Sequence, residues 1–268
     1  MMILLLLIVG LFTGAMAGFF GVGGGILFTP VLFYLFTTIG VEEPAVWAIG
    51  TSLLCTFSAS LSSTIQQRNE KNIYLKEGLI VGLVGTVGVY FGKEIVMSEW
   101  FTDEVFVFMF ALLLMLVSVL FLRKSRAIRK ENHVDPDLTL VESSGTGFVG
   151  GFMASLAGIG GGVVMVPILN LVAKLGLPKS VSISSLAIVF ISLSGWLQYA
   201  LFGGSPVGVT QYTLGFVDFG TALPLLSGAF LGGFIGVKAG IVISGKVTNL
   251  LFAILLFSIS LYMLQSLI

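Results

Sequence analysis

The chain has 268 residues, 56% of them hydrophobic and only 10% charged, with a mean hydropathy of +1.09. That balance lies far outside soluble globular domains and describes an integral membrane protein, expected in the cell (inner or plasma) membrane with the lipid bilayer as its surroundings. Thirteen basic and thirteen acidic residues cancel, which argues against nucleic acid as a partner, and the single Cys55 excludes an internal disulfide framework.

Taken from the start, no residue between Met1 and Val41 is charged. The opening MMILLLLIVGLFTGAMA resembles a signal peptide with a small-residue site at Ala15–Ala17, but it lacks the positive n-region and is read as part of the membrane portion. Next comes FFGVGGGILFTPVL (19–32), whose glycines and proline weaken a helix interior, so this is not an ordinary spanning helix. Uncharged runs follow at Ala45–Ile65, Gly78–Gly92 and Val105–Leu122. After the hydrophilic stretch RKSRAIRKENHVDPDLTLVES they resume at Ser180–Val217, Phe219–Val237 and Val247–Ile268. Most match the length a helix needs to cross roughly 30 Å of hydrocarbon, and no alternating pattern of the β-barrel kind runs through the chain. Trp47, Trp100 and Trp196 are expected at the membrane interfaces, and His133 in solvent.

The first glycine cluster recurs. SLAGIGGGVVMVPIL (155–169) sets Gly158, Gly160, Gly161, Gly162 and Pro167 against Gly21, Gly23, Gly24, Gly25 and Pro30. Thr51-Ser52-Leu53 then pairs with Ser184-Ser185-Leu186, which puts Cys55 opposite Ile188, and Lys93 pairs with Lys238. The chain is therefore read as a first membrane repeat, 1–122, a hydrophilic cytoplasmic linker, 123–144, and a second membrane repeat, 145–268.

Lysine and arginine mark cytoplasmic loops. By that rule the 66–77 loop (Arg68, Lys71, Lys76), the linker, the 174–179 loop (Lys174, Lys179) and the 238–246 loop (Lys238, Lys246) lie inside, and 37–44, 93–104 and 203–216 outside. The two halves then have opposite orientation. Segment 145–173 must leave and return to one side, and two arms of about 14 residues reach only about 20 Å each. The expected fold is all-α: two inverted repeats, each a broken, re-entrant glycine hairpin plus three spanning helices.

A glycine turn that opens a helix presents unpaired N–H groups at the positive end of the helix dipole, an arrangement that suits anions. Pro30 and Pro167 would then lie in helices beginning near Ile26 and Val163, where a missing N–H costs little. Gly21, Gly23, Gly24, Gly25, Gly158, Gly160, Gly161 and Gly162 are thus the candidate substrate-binding backbone. The competing role is close helix packing through small residues. Hydroxyls at Thr51, Ser52, Thr56, Ser182, Ser184 and Ser185 could donate to an oxyanion, and the paired positions single out Thr51, Ser52, Ser184 and Ser185. Cys55, Lys93, Lys238 and Gln198 are weaker pathway candidates. A dinucleotide fingerprint fails because Ile26 and Val163 stand where its last glycine belongs. No cofactor or metal is expected. An intramembrane hydrolase would need a base that the chain does not place, its one histidine being in the linker.

The twin GxGGG…P motifs, the Thr-Ser-Leu and Ser-Ser-Leu helices after them and the duplicated length resemble the sulfite exporter TauE/SafE family of membrane permeases. The resemblance covers essentially the whole chain and implies small sulfur-containing anions, sulfite or sulfonates, as substrates. No carboxylate falls in the middle of an apolar run, Glu77 and Asp218 standing near run starts. The expected activity is therefore secondary transport, in the exporting direction, by alternating access around a midplane site and driven by membrane voltage. An anion channel, or a non-transporting sensor or assembly subunit, are the other readings of the same features.

Overall fold

The computed structural model describes residues 2–20, 23–126, 136–202, 210–242 and 245–265. The first half is built from α1 (Met2–Phe20), α2 (Gly25–Ile39), α3 (Pro44–Asn69), α4 (Leu75–Val96) and α5 (Asp103–Arg126). The second has α6 (Leu140–Ala157), α7 (Gly162–Pro167) continued by a π turn (Ile168–Val172), α8 (Leu177–Leu201), α9 (Phe219–Val242) and α10 (Gly245–Gln265). One short antiparallel ladder, β1 (Thr213–Leu214) on β2 (Val217–Asp218), interrupts the helices, so the apolar run from Ser180 to Val217 is not one helix. Among the described residues six helices, α1, α3, α4, α5, α8 and α9, are long and apolar enough to cross a membrane. Their outward faces carry large apolar side chains, such as Leu83 and Phe91 on α4, Phe108 and Leu112 on α5 and Leu231 and Ile235 on α9. A face of that kind is stable against lipid and not against water.

Local chemistry sets the breaks. Thr139 and Glu142 form a reciprocal capping box that starts α6 at Leu140, earlier than the charge pattern suggests. The first arm of the second hairpin therefore has 18 residues and the second, 162–172, is short; the two arms are not of equal length as expected. Likewise α1 has 19 residues and α2 has 15. Pro30 and Pro167 lie in the second turns of α2 and α7 and not at their starts. There a proline removes an i→i−4 bond, and after Pro167 the chain relaxes into the π turn, with the Asn170 amide donating to the Leu175 carbonyl at 2.6 Å.

Glycines let helices from different halves touch along their backbones. On α1, Gly10, Gly14 and Gly18 meet Leu225, Ala229 and Gly233 of α9, so the two helices run parallel. On α6, Gly147 and Gly151 meet Val81 and Gly85 of α4, again in parallel. By contrast α5 and α10 run antiparallel: Ser118 donates to the Ala253 carbonyl at 2.7 Å and Ser260 to that of Ala111 at 2.8 Å. The central pair α3 and α8 is also antiparallel, with Gly50 near Tyr199 and Leu53 against Gly195.

The loops gather at two ends. At one, Ser182 donates to the Asn72 carbonyl at 2.6 Å and Lys179 Nζ to that of Pro136 at 3.3 Å. At the other, the Ala45 amide donates to Asp103 at 3.1 Å and that of Asp218 to Thr51 Oγ1 at 3.1 Å. Trp47 is fully buried there between Phe36 and Phe216, inside the protein; of the three tryptophans, Trp100 is the exposed one, at 87%. Its short distance from the α3 start in sequence hid that the β1–β2 segment folds over it.

Asp218 caps α9. Its carboxylate accepts from Thr210 Oγ1 (2.6 Å), the Gly220 amide (2.9 Å) and Thr221 Oγ1 (3.3 Å) and is fully buried. Asp218→Ala strands these donors and should cost about 2 kcal/mol, read as a lowered thermal midpoint in detergent, with Asp218→Asn losing less.

Candidate functional site

Two breaks in the helices share one backbone geometry. Gly23 and Gly24 have φ of 79° and 81°, Gly160 and Gly161 have 69° and 83°, and Gly24 and Gly161 are the N-caps of α2 and α7. Two consecutive residues in the left-handed region are readily open only to glycine, which is why each triplet breaks its helix where it does. After each turn the helix restarts: the amides of Leu27 and Phe28 return to the Gly24 carbonyl, and those of Val164 and Met165 to Gly161. The amides of Gly25, Ile26, Gly162 and Val163 find no backbone acceptor among the described residues. They are the open donors of a helix start.

The turns converge. A Cβ at Gly23 would meet Ile188 Cγ2 and Thr56 Cγ2, each at 2.9 Å; one at Gly160 would meet Thr56 Cγ2 at 2.5 Å and Ile188 Cγ2 at 2.9 Å. Both turns thus rest on the same two side chains, which stand near the middles of α3 and α8. Thr56 and Ile188 stand one residue off the alignment that sets Cys55 against Ile188. Gly25 meanwhile packs on the backbone of Gly158 and Ile159. A relay binds them: Thr29 Oγ1 donates to Ser52 Oγ at 2.8 Å, which donates to the Gly158 carbonyl at 2.8 Å.

That relay assigns the hydroxyls. Ser52 spends its proton on Gly158, Thr51 accepts from the Asp218 amide, and Ser184 donates back to the Val181 carbonyl at 3.1 Å. Ser185 Oγ and Thr56 Oγ1 are buried with no hydrogen-bond partner among the described residues. Thr56 meets both turns through its methyl, Cγ2. Its place in the hydroxyl row was legible in sequence, but the repeat pairing favoured its neighbours.

Of the other candidates, Gly21 lies outside the described residues. Gly23, Gly24, Gly160 and Gly161 form the turns, Gly25 and Gly162 open the helices, and Gly158 ends α6 with φ of 68°. Cys55 is fully buried, its sulfur 4.0 Å from the Ala222 carbonyl and toward α9. Lys93 is buried, paired with Glu94 at 2.8 Å and 5.4 Å from the Phe202 ring, so its charge is already answered. Lys238 is exposed on α9. Gln198 donates to Ser194 at 2.8 Å and lines a groove of about 360 Å³ between α4 and α8 with Phe190 and Phe202, away from the turns. Among the described residues no three His, Cys, Asp or Glu side chains group as a metal site.

A pair of open helix starts in an apolar surround suits an anion and offers no nucleophile and base. Residues 6–263 match the family described as sulfite exporter TauE/SafE. A probable membrane transporter protein of Methanocaldococcus jannaschii is 30% identical, with 97% of this chain and 94% of that one covered. The probable membrane transporter protein YunE of Bacillus subtilis is 31% identical over 88% of each chain, and one from Xylella fastidiosa is 27% identical over 96% of this chain and 95% of its own. No solved structure matches. With six candidate spans among the described residues and a family match over nearly its whole length, the chain is an integral membrane transporter, not an enzyme, and belongs to the sulfite exporter TauE/SafE family.

Proposed function

We propose that the protein is a secondary transporter that exports small sulfur-containing anions, sulfite or sulfonates, by alternating access around the paired glycine turns. The observation that carries this reading is the convergence of both turns on Thr56 and Ile188, halfway along α3 and α8. A midplane site between half-helix starts is the arrangement expected of inverted-repeat transporters. Inversion of the two halves, 1–122 and 145–268, is supported by the antiparallel course of the corresponding helices α5 and α10, and α3 and α8. It is also supported by the loops that meet: 66–77 with 174–179 and the linker at one end, 37–44 with 93–104 at the other. With the lysine-rich end inside, an anion leaves down the membrane potential, worth about 2.3 kcal/mol per charge per 100 mV.

Flux of labelled sulfite or methanesulfonate from proteoliposomes tests the proposal. Export should accelerate with an inside-negative potential set by potassium and valinomycin, saturate with substrate, and be stimulated by anion on the opposite side. Flux that needs a pH gradient and ignores voltage would contradict the driving force. Non-saturating flux without exchange would indicate a pore.

A further inference from the structure

The groove between α4 and α8 holds about 360 Å³ and is lined by Thr86 on one wall and by Phe190, Leu193, Ser194, Gln198 and Phe202 on the other. Beside it stand the exposed Leu83 and Val87 of α4 and Leu201 of α8, so it opens sideways toward hydrocarbon. Gly82 meets Phe190 and Lys93 meets Phe202, so the two helices run parallel and the groove ends beside Lys93, at the Asp103 end of the bundle.

Lys93 sits there in a setting unusual for a lysine one turn from a helix end. Such side chains extend to water. This one is only 8% exposed, with Nζ 2.8 Å from the Glu94 carboxylate, 5.4 Å from the Phe202 ring and 5.9 Å from that of Tyr90. Glu94 balances its charge but takes only one of its three N–H donors, and no other acceptor among the described residues receives the rest. Glu94 itself is 53% exposed. The end of the groove thus carries a buried ammonium with donors to spare beside an open carboxylate. One and two turns deeper, Gln198 donates to Ser194 at 2.8 Å, and Gln198 Oε1 has no partner among the described residues. At 1.5 Å per residue these two lie about 5 and 10 Å inside the end of α8. A headgroup layer adds about 5–7 Å to each side of the hydrocarbon, so the polar lining lies level with lipid ester groups and Phe190 with the chains.

We propose that this groove binds a phospholipid with a primary-amine head, phosphatidylethanolamine, its phosphate on Lys93, its ammonium on Glu94 and one acyl chain along Phe190. Charge selects the head. A phosphate and an ammonium joined by two carbons complement an ammonium and a carboxylate side by side, and the site stays neutral. An anionic glycerol lipid would satisfy Lys93 but set like charge against Glu94. A choline head has no N–H to give the carboxylate. Shape selects a lipid over a second copy of this chain, because two such grooves face to face enclose a void whose walls lose their contacts, whereas a flexible chain fills it.

Native mass spectrometry of the purified full-length protein, titrated with dioleoyl phosphatidylethanolamine, phosphatidylglycerol and phosphatidylcholine, tests the assignment. The first ethanolamine lipid should bind about fivefold more tightly than either of the others. Glu94→Gln removes the carboxylate and should bring the glycerol lipid level with the ethanolamine lipid or above it. Leu193→Trp fills the groove and should abolish the preference while the thermal midpoint in detergent holds. Equal affinities in the unaltered protein overturn the proposal, and so does a preference that Glu94→Gln leaves unmoved, because the head is then chosen elsewhere. A preference that survives Leu193→Trp in a folded protein takes the chain out of the groove. A dimer that Leu193→Trp dissociates gives the groove to a second copy instead.

Discussion

Gly161→Ala is expected to abolish transport and to cost about 4 kcal/mol of stability, more than any other single change at the turns. Two separate penalties add. A residue with a Cβ at φ of 83° carries the left-handed strain, about 1–2 kcal/mol. Its Cβ would also overlap the Gly150 carbonyl, which is α6 backbone and cannot step aside as a side chain does. Gly24→Ala keeps the first penalty, at φ of 81°, but its Cβ would meet the far edge of the Phe28 ring at 2.9 Å, which a small rotation relieves. It should cost about 2 kcal/mol and still lose flux, because the helix start it caps is displaced. Gly145→Ala, on α6 with nothing near its Cβ, is the control and should stabilise by up to about 1 kcal/mol. Thermal unfolding in detergent gives the order, and proteoliposome flux the activity. Full flux and anion binding in a folded Gly24→Ala protein would leave the turns with a packing role only.

The turns were legible in sequence because left-handed backbone at two successive positions restricts the choice to glycine, and the chain spells that restriction twice. The uncharged runs locate α3, α4, α5, α9 and α10 for a similar reason, since a lipid-facing surface excludes charge along the whole helix. What sequence hid are features decided by contacts far along the chain. Thr56 and Cys55 are adjacent and both apolar enough to be buried; only the opposite helix determines that one faces the turns and the other α9. Trp47 reads as an interfacial anchor until the β1–β2 segment closes over it. The start of α6 was carried by a local signal, Thr139 with Glu142, that the charged linker around it masked. The glycines at 10, 14 and 18 and at 228, 232 and 236 repeat at intervals of four, which is a packing signal, yet their partners lie in the other half of the chain.

Those spaced glycines carry the second large effect. Alanine at Gly151 would place its Cβ on the Gly85 carbonyl, and alanine at Gly236 on that of Ala15, so either change forces two helix backbones apart. Intrinsic helix preference favours alanine by about 1 kcal/mol in each case, and overpacking against backbone outweighs it, leaving each variant about 3 kcal/mol less stable. Because α1 with α9 and α4 with α6 each join one helix from either half, each seam makes a unit that neither half contains alone. The proposed alternating access would then have two glycine-sealed pairs as its moving parts, each keeping its internal contacts while the surfaces of α3 and α8 between them slide. On that picture the Gly151→Ala and Gly236→Ala costs, measured by thermal or denaturant unfolding, should add to within about 0.5 kcal/mol in the double variant. A double variant much more stable than the sum would mean that loosening one seam already loosens the other, and that the bundle moves as a single body.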